Sequence, residues 1–151
     1  MTEQFFATLK ARLTELVQGL SFHHKPTGGL VAPQIIDIML ERPKEAVEEA
    51  EEYPYVRWLI VDGAFTNRSP SRFTVMLDGG IYTAGTVAEG SADITRLCLA
   101  LGRIVESPWI DQYKMQDQVR FSLGIPGDDK DPGIQPHPYH HCRLFLEMQH
   151  Q

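Results

Sequence analysis

Apolar residues near the start of the chain recur at helical spacing. Phe5, Leu9, Leu13, Leu16 and Leu20 are four, four, three and four residues apart, close to the 3.6-residue period of an α-helix. Glu3, Lys10, Arg12 and Glu15 fall elsewhere on the wheel, and Gly19 suits a left-handed C-terminal cap. The pattern predicts an amphipathic helix over residues 3–19. A second stripe, Ile94, Leu97, Cys98, Leu101, Ile104 and Val105, turns Asp93, Arg96 and Arg103 away from its apolar side. Ser91 is the expected N-cap, Asp93 and Arg103 complement the helix dipole, and Ser107-Pro108 stops the helix.

Between and after these stripes the period falls to two. Residues 53–62 are rich in aromatic and β-branched side chains, with Pro54 placed at a strand's first position. Residues 72–77 alternate, putting Phe73, Val75 and Leu77 on one face. The intervening 63–71, with Asn67, Ser69 and Pro70, reads as a hairpin loop. Asp78-Gly79-Gly80 is expected to form a bulge or bend before Ile81-Tyr82-Thr83 resumes the strand. Two further alternating runs, 115–123 and 140–148, flank an aperiodic stretch at about 126–136 that reads as a projecting loop.

From about 21 to 52 the pattern weakens. Pro26, Gly28, Gly29, Pro33 and Pro43 punctuate it, and the apolar group 35–40 suits a helical turn, an edge strand or a packed loop equally. The run Glu45, Glu48, Glu49, Glu51, Glu52 reads as a solvated connection, with a metal-binding carboxylate cluster as the sharper alternative. One domain over 1–151 follows. Its expected class is α+β, a four-stranded antiparallel sheet with two helices packed on one face, in the order α-β-β-α-β-β.

Composition narrows the partners. The chain has 151 residues, 42% of them hydrophobic, with 20 acidic against 14 basic side chains and a net charge of -6. That balance argues against nucleic acid and anionic membranes, which call for a cationic surface. The longest apolar run, 97–101, is far short of the ~20 residues that span a bilayer. The first ten residues lack a secretory pattern, so the chain is expected to stay in its compartment of synthesis with Cys98 and Cys142 as reduced, buried thiols.

Catalytic signatures are few. No glycine-rich loop leads into Lys-Ser/Thr, and no Gly-x-Ser-x-Gly elbow occurs. His137, His140 and Cys142 are the candidate metal ligands, since imidazole and thiolate suit zinc. On a strand, His140 and Cys142 share a face while His141 points away, so two more donors would have to come from the loop or from His23 and His24. Surface histidines at a strand end are the favoured reading, and no metal, cofactor or enzymatic activity is expected. Trp58, Trp109, Tyr53, Tyr55 and Tyr82 are read as packing residues. Arg57, Arg68, Arg72 and Arg120 form a basic strip on the wet face of the sheet, suited to an acidic neighbouring subunit.

The stretch from about 52 to 148 resembles tail terminator and tail completion proteins of long-tailed bacteriophages and prophages. Glu52-Tyr-Pro-Tyr-Val56, Phe73-Thr-Val-Met-Leu77, Gly80-Ile-Tyr-Thr83 and Glu89-Gly-Ser-Ala-Asp93, followed by a helix and two closing strands, carry the resemblance. It implies a structural minor tail protein that forms a ring, typically of six subunits, at the head-proximal end of the tail tube. Such a ring stops tube polymerisation and meets the head connector. The implied location is the host cytoplasm during assembly and then the virion. An acidic chain can stay monomeric until the tube assembles it, and Asp128, Asp129, Lys130 and Asp131 are the loop residues expected to order on contact. A non-viral α+β adaptor domain and a His/Cys metal enzyme are the alternatives.

Overall fold

A computed structural model describes residues 3–37, 52–66, 69–124 and 137–150. The elements are α1 (Glu3–Leu16), β1 (Phe22–His23), β2 (Leu30–Val31), β3 (Gln34–Asp37), β4 (Tyr55–Thr66), β5 (Ser69–Tyr82) and α2 (Val87–Gly102). A 3-10 turn (Arg103–Glu106) leads to β6 (Trp109–Ile110), β7 (Tyr113–Met115), β8 (Arg120–Leu123) and β9 (Tyr139–His150).

The long strand β5 is the middle of the sheet. Antiparallel β4 runs beside it from Tyr55↔Gly80 to Thr66↔Ser69, and antiparallel β9 lies on its other side from Arg72↔Gln149 to Tyr82↔Tyr139. Short strands extend these three. β3 adds to β4 in parallel, opposite Tyr55 to Trp58. β7 and β8 share the far edge of β9, β6 pairs with β7, and β1 with β2 continues beside Tyr82.

Both helices lie on one face of this sheet. Phe5 of α1 meets Phe73 and Tyr113 edge-on at 5.2 and 5.6 Å between ring centroids, and Phe6 stacks on Trp58 at 4.9 Å. Ile94, Leu97, Cys98 and Leu101 of α2 are buried against the same layer as Val75, Leu77, Leu144 and Leu146. Arg12 fastens α1 to the segment between the 3-10 turn and β6, its Nη1 donating to the Ser107 carbonyl at 2.7 Å.

The four-stranded expectation is wrong. Among the described residues nine strands form the sheet, mostly antiparallel but with β3 and β4 parallel, so the order α-β-β-α-β-β does not describe the chain. Two causes are physical. Strands of two residues, such as β1, β2 and β6, are too short to display an alternation of period two. The expected strand 115–123 would have placed Asp117 on the apolar face; instead Asp117 is exposed, and the run divides into β7 and β8.

Three local readings also change. The segment expected as a hairpin loop at 63–71 is largely strand, since β4 continues to Thr66 and β5 begins at Ser69. Pro70 is tolerated because pairing with β9 begins only at Arg72. Gly79 and Gly80 keep an unbroken register with both neighbours; the irregularities lie further out, one at Val61 of β4 between Ile60 and Asp62, the other at Ser71 of β5, opposite the Ala64/Phe65 step. The glycines serve close approach: a Cβ on Gly80 would lie 2.8 Å from Tyr53 Cε1, and one on Gly79 would lie 3.0 Å from Cys142 Sγ. Finally, α2 starts before Ser91. Thr86 is its N-cap, accepting from Glu89 N while the Glu89 carboxylate accepts from Thr86 N, a reciprocal capping box. The ambiguous group at 35–40 supplies edge strand β3 as far as Asp37; the rest of it, Pro43, Glu45, Glu48, Glu49, Glu51 and the 126–136 loop lie outside the described residues.

Candidate assembly surface

Side chains of β4, β5 and β9 that point away from the helices form three rows. Register places Tyr55, Gly80 and His141 in one row, Arg57, Asp78 and Arg143 in the next, and Leu59, Met76 and Phe145 in the third. Asp78 is the centre. Arg57 Nε donates to its Oδ2 at 3.0 Å, and Arg143 Nε lies 3.8 Å from Oδ1. Arg57 Nη2 also donates to the Tyr55 hydroxyl at 3.1 Å, and the Tyr53 hydroxyl bonds His141 Nε2 at 2.8 Å.

Burial sets the protonation of this cluster. It drives the Tyr55 phenol far above its ordinary range, with the Asp78 charge adding to the effect. Burial works against the Arg57 cation, but Tyr55 and Asp78 outweigh it, so the guanidinium pKa is raised. The His141 imidazole is pushed down, first by burial and then by Arg57 and Arg143, against the pull of Asp78. Tyr55 therefore stays neutral and Arg57 stays charged. A carboxylate enclosed by two guanidiniums ties three strands together, because removing one partner would strand a buried charge.

The expected basic strip is redistributed by this arrangement. Arg57 is committed to Asp78 and is largely buried. Arg72 is exposed, further along the hairpin opposite Ala64. Arg120 stacks over the Phe145 ring at 4.6 Å. Arg68, Asp128, Asp129, Lys130 and Asp131 lie outside the described residues. Arg143 went unrecognised in the sequence although alternation puts it beside His141; its partner Asp78 depends on a register that no local pattern specifies.

Beyond Ile60 β4 runs on beside β5, whose pairing with β9 reaches only to Arg72, so the tip of the hairpin projects past β9 as an arm. Val61 is 46% and Phe65 78% exposed. Among the described residues, β4 past Trp58 pairs on one side only, with β5. A polar groove of about 360 Å³ opens at the base of the arm, lined by Asp62, Arg72, Thr74, Gln116, Glu147 and Gln149 among others. At the opposite edge of the sheet β8 pairs only with β9 among the described residues, and Phe121 is 58% exposed. Among the described residues the sheet thus shows two different edges carrying exposed apolar side chains.

The proposed metal ligands separate. His137 Nδ1 lies 3.1 Å from His140 Nε2, with His140 fully buried on the helix side of the sheet. Cys142 shares that side, but its sulfur packs at Gly79 and interacts with Cys98. His24 bonds Thr27, and His23 stands opposite Tyr82. Among the described residues no group of three or more His, Cys, Asp or Glu side chains is placed to hold a metal ion. No helix among them is long and apolar enough to cross a membrane.

No protein-family model matches this chain, and no curated protein matches it either.

Proposed function

We propose that the chain is a structural subunit of a phage or prophage tail, of the tail terminator kind, and that it works by closing into a ring with copies of itself. The observation that carries this reading is the pair of unlike edges that stand open among the described residues. The arm offers Val61 and Phe65 at one end of the sheet, and β8 offers Phe121 at the other. A patch that is not self-complementary joins copies head to tail, and a head-to-tail contact closes into a ring when its rotation permits. Large exposed apolar side chains at an open strand edge also favour pairing with another chain. The motif order described above supplies the tail context. The commitment of Arg57 and Arg143 to the buried Asp78 favours a structural role for the outer face over a catalytic one.

In this reading the ring caps the tail tube, stops its growth and presents a surface to the head connector, assembling in the host cytoplasm and ending in the virion. Light scattering and negative-stain electron microscopy of the protein, alone and with tube subunits, test it. Closed rings or capped tubes are the expected result. A monomer at every concentration that also leaves tube length unchanged would overturn it.

A further inference from the structure

The two open edges run in opposite senses. β4 is antiparallel to β5, β5 to β9 and β9 to β8, so β8 points against β4. When a second copy continues the sheet with its helices on the same side, its β8 meets the free side of β4 antiparallel, the more stable of the two pairings. Among the described residues that side of β4 is free past Trp58, and the far side of β8 is free over its whole length.

The faces match as well as the direction. Asp62 stands opposite Thr74, which pairs with Glu147, so an acidic row lies on the face away from the helices. Arg120 stands opposite Phe145 on that same face and stacks over its ring. Asp62 and Arg120 are both exposed, and among the described residues neither has an ion-pair partner. On the helix side, Phe121 stands opposite buried Leu144 and Gly63 opposite buried Phe73. Phe65, two residues beyond Gly63, shares its side by alternation. Setting Phe121 across from Gly63 brings the ring onto a residue with no side chain, beside Phe65. The same register leaves Asp62 diagonal to Arg120, within reach of a long side chain.

We propose that β8 of one copy adds to the free edge of β4 of the next, with Asp62 paired to Arg120 of the partner subunit, so that one sheet runs on from copy to copy. This inference rests on the assembly reading above and specifies its contact. Within one chain β8 is level with Val56 to Leu59 of β4, whereas it joins the next copy beyond Ile60. Each copy therefore steps along the strand direction, and such a stagger is what a sheet needs in order to tilt and close on itself. The apolar side chains supply contact area, and the charge pair decides which edge meets which.

The test reverses the charges in the full chain. Asp62→Arg and Arg120→Asp should each move self-association, followed by light scattering at low ionic strength, to about tenfold higher protein concentration or beyond, because each sets like charges together. Urea midpoints should stay unchanged, since both side chains are exposed. The double variant, and an equimolar mixture of the two single variants, should regain the size of the unmodified assembly. In the mixture each reversed edge finds its reversed counterpart and each native edge its native one. If the unmodified chain forms rings but the single variants match it, or the double variant and the mixture assemble no better than the single variants, this edge pairing is overturned and the ring reading stands. If the unmodified chain forms no assembly, alone or with tube subunits, the ring reading fails and takes the edge pairing with it.

Discussion

The two halves of the β4–β5 hairpin are made of the same kinds of residue and end in opposite surroundings. In the proximal half Tyr55, Val56, Trp58 and Leu77 are buried, flanked by β3, β9 and the helices. In the distal half β5 stays paired with β9 as far as Arg72 and keeps Phe73 buried, but among the described residues β4 has β5 alone beside it, and Val61 and Phe65 face solvent. Aromatic and β-branched residues make a strand in both places; what differs is the layer available to cover them. The proximal part of β4 is therefore covered by this chain, and in the assembly proposed above the exposed side chains of its distal part are the ones a neighbouring copy would cover.

Substitutions in the covered half should act on folding, and the largest effect is expected at Phe5. It is fully buried and meets Phe6, Phe73 and Tyr113. Phe5→Ala should lower the unfolding free energy by about 3–5 kcal/mol, read from urea denaturation. Gly90→Ala comes next, at about 1–3 kcal/mol, since its Cβ would drive into His140 and lift α2 from β9. Thr86→Ala removes the N-cap of α2 and should cost about 1 kcal/mol. If Phe5→Ala left stability unchanged, the contrast between a covered and an uncovered half would lose its basis.

How far the chain discloses this arrangement depends on the length of each element. The stripes of α1 and α2 extend over several turns, and each repeats its signal enough to be read: Phe5, Leu9 and Leu13, and Ile94, Leu97 and Leu101, are the residues found buried. β9 alternates over twelve residues and is equally legible. β1, β2 and β6 have two residues each and carry no period at all. In the sequence the arm has the signals of a loop, Gly63 and Pro70 among them, whereas strand pairing passes through both. The outer cluster was half visible: alternation turns Arg57 outward, but its bond to Asp78 is a contact across strands, fixed only when register is fixed.

Acidification should weaken the covered half by less than these substitutions do. His140 is pushed below the ordinary imidazole value by burial and then by His137, with Asp93 opposing. A histidine with a depressed folded pKa contributes fully above its unfolded value near ~6.5, and that contribution is lost as pH falls through the folded value. His141 shifts the same way on the outer face. The urea midpoint should therefore drop between neutral pH and the pH range below the unfolded imidazole value, and the drop should shrink in His140→Gln. An identical pH slope in that variant would show that the buried ring is not the group responsible.

The smallest effect on folding, and the most informative one, is expected at the arm. Phe65 is 78% exposed, so replacing it removes almost no buried area. Phe65→Ser should change the unfolding free energy by no more than about 0.5 kcal/mol. Self-association is a different matter, because an exposed aromatic at an open strand edge is the kind of side chain that dominates an interface once a partner covers it. Light scattering over a concentration series should find the variant monomeric where the unmodified chain forms larger species, with identical urea curves for both. Phe121→Ser at the opposite edge should give the same result, since a head-to-tail contact fails when either side is removed. Mixing the two variants sharpens the point: each retains one intact edge, so they should form heterodimers that cannot grow. Growth beyond the dimer would mean that the contact is made elsewhere.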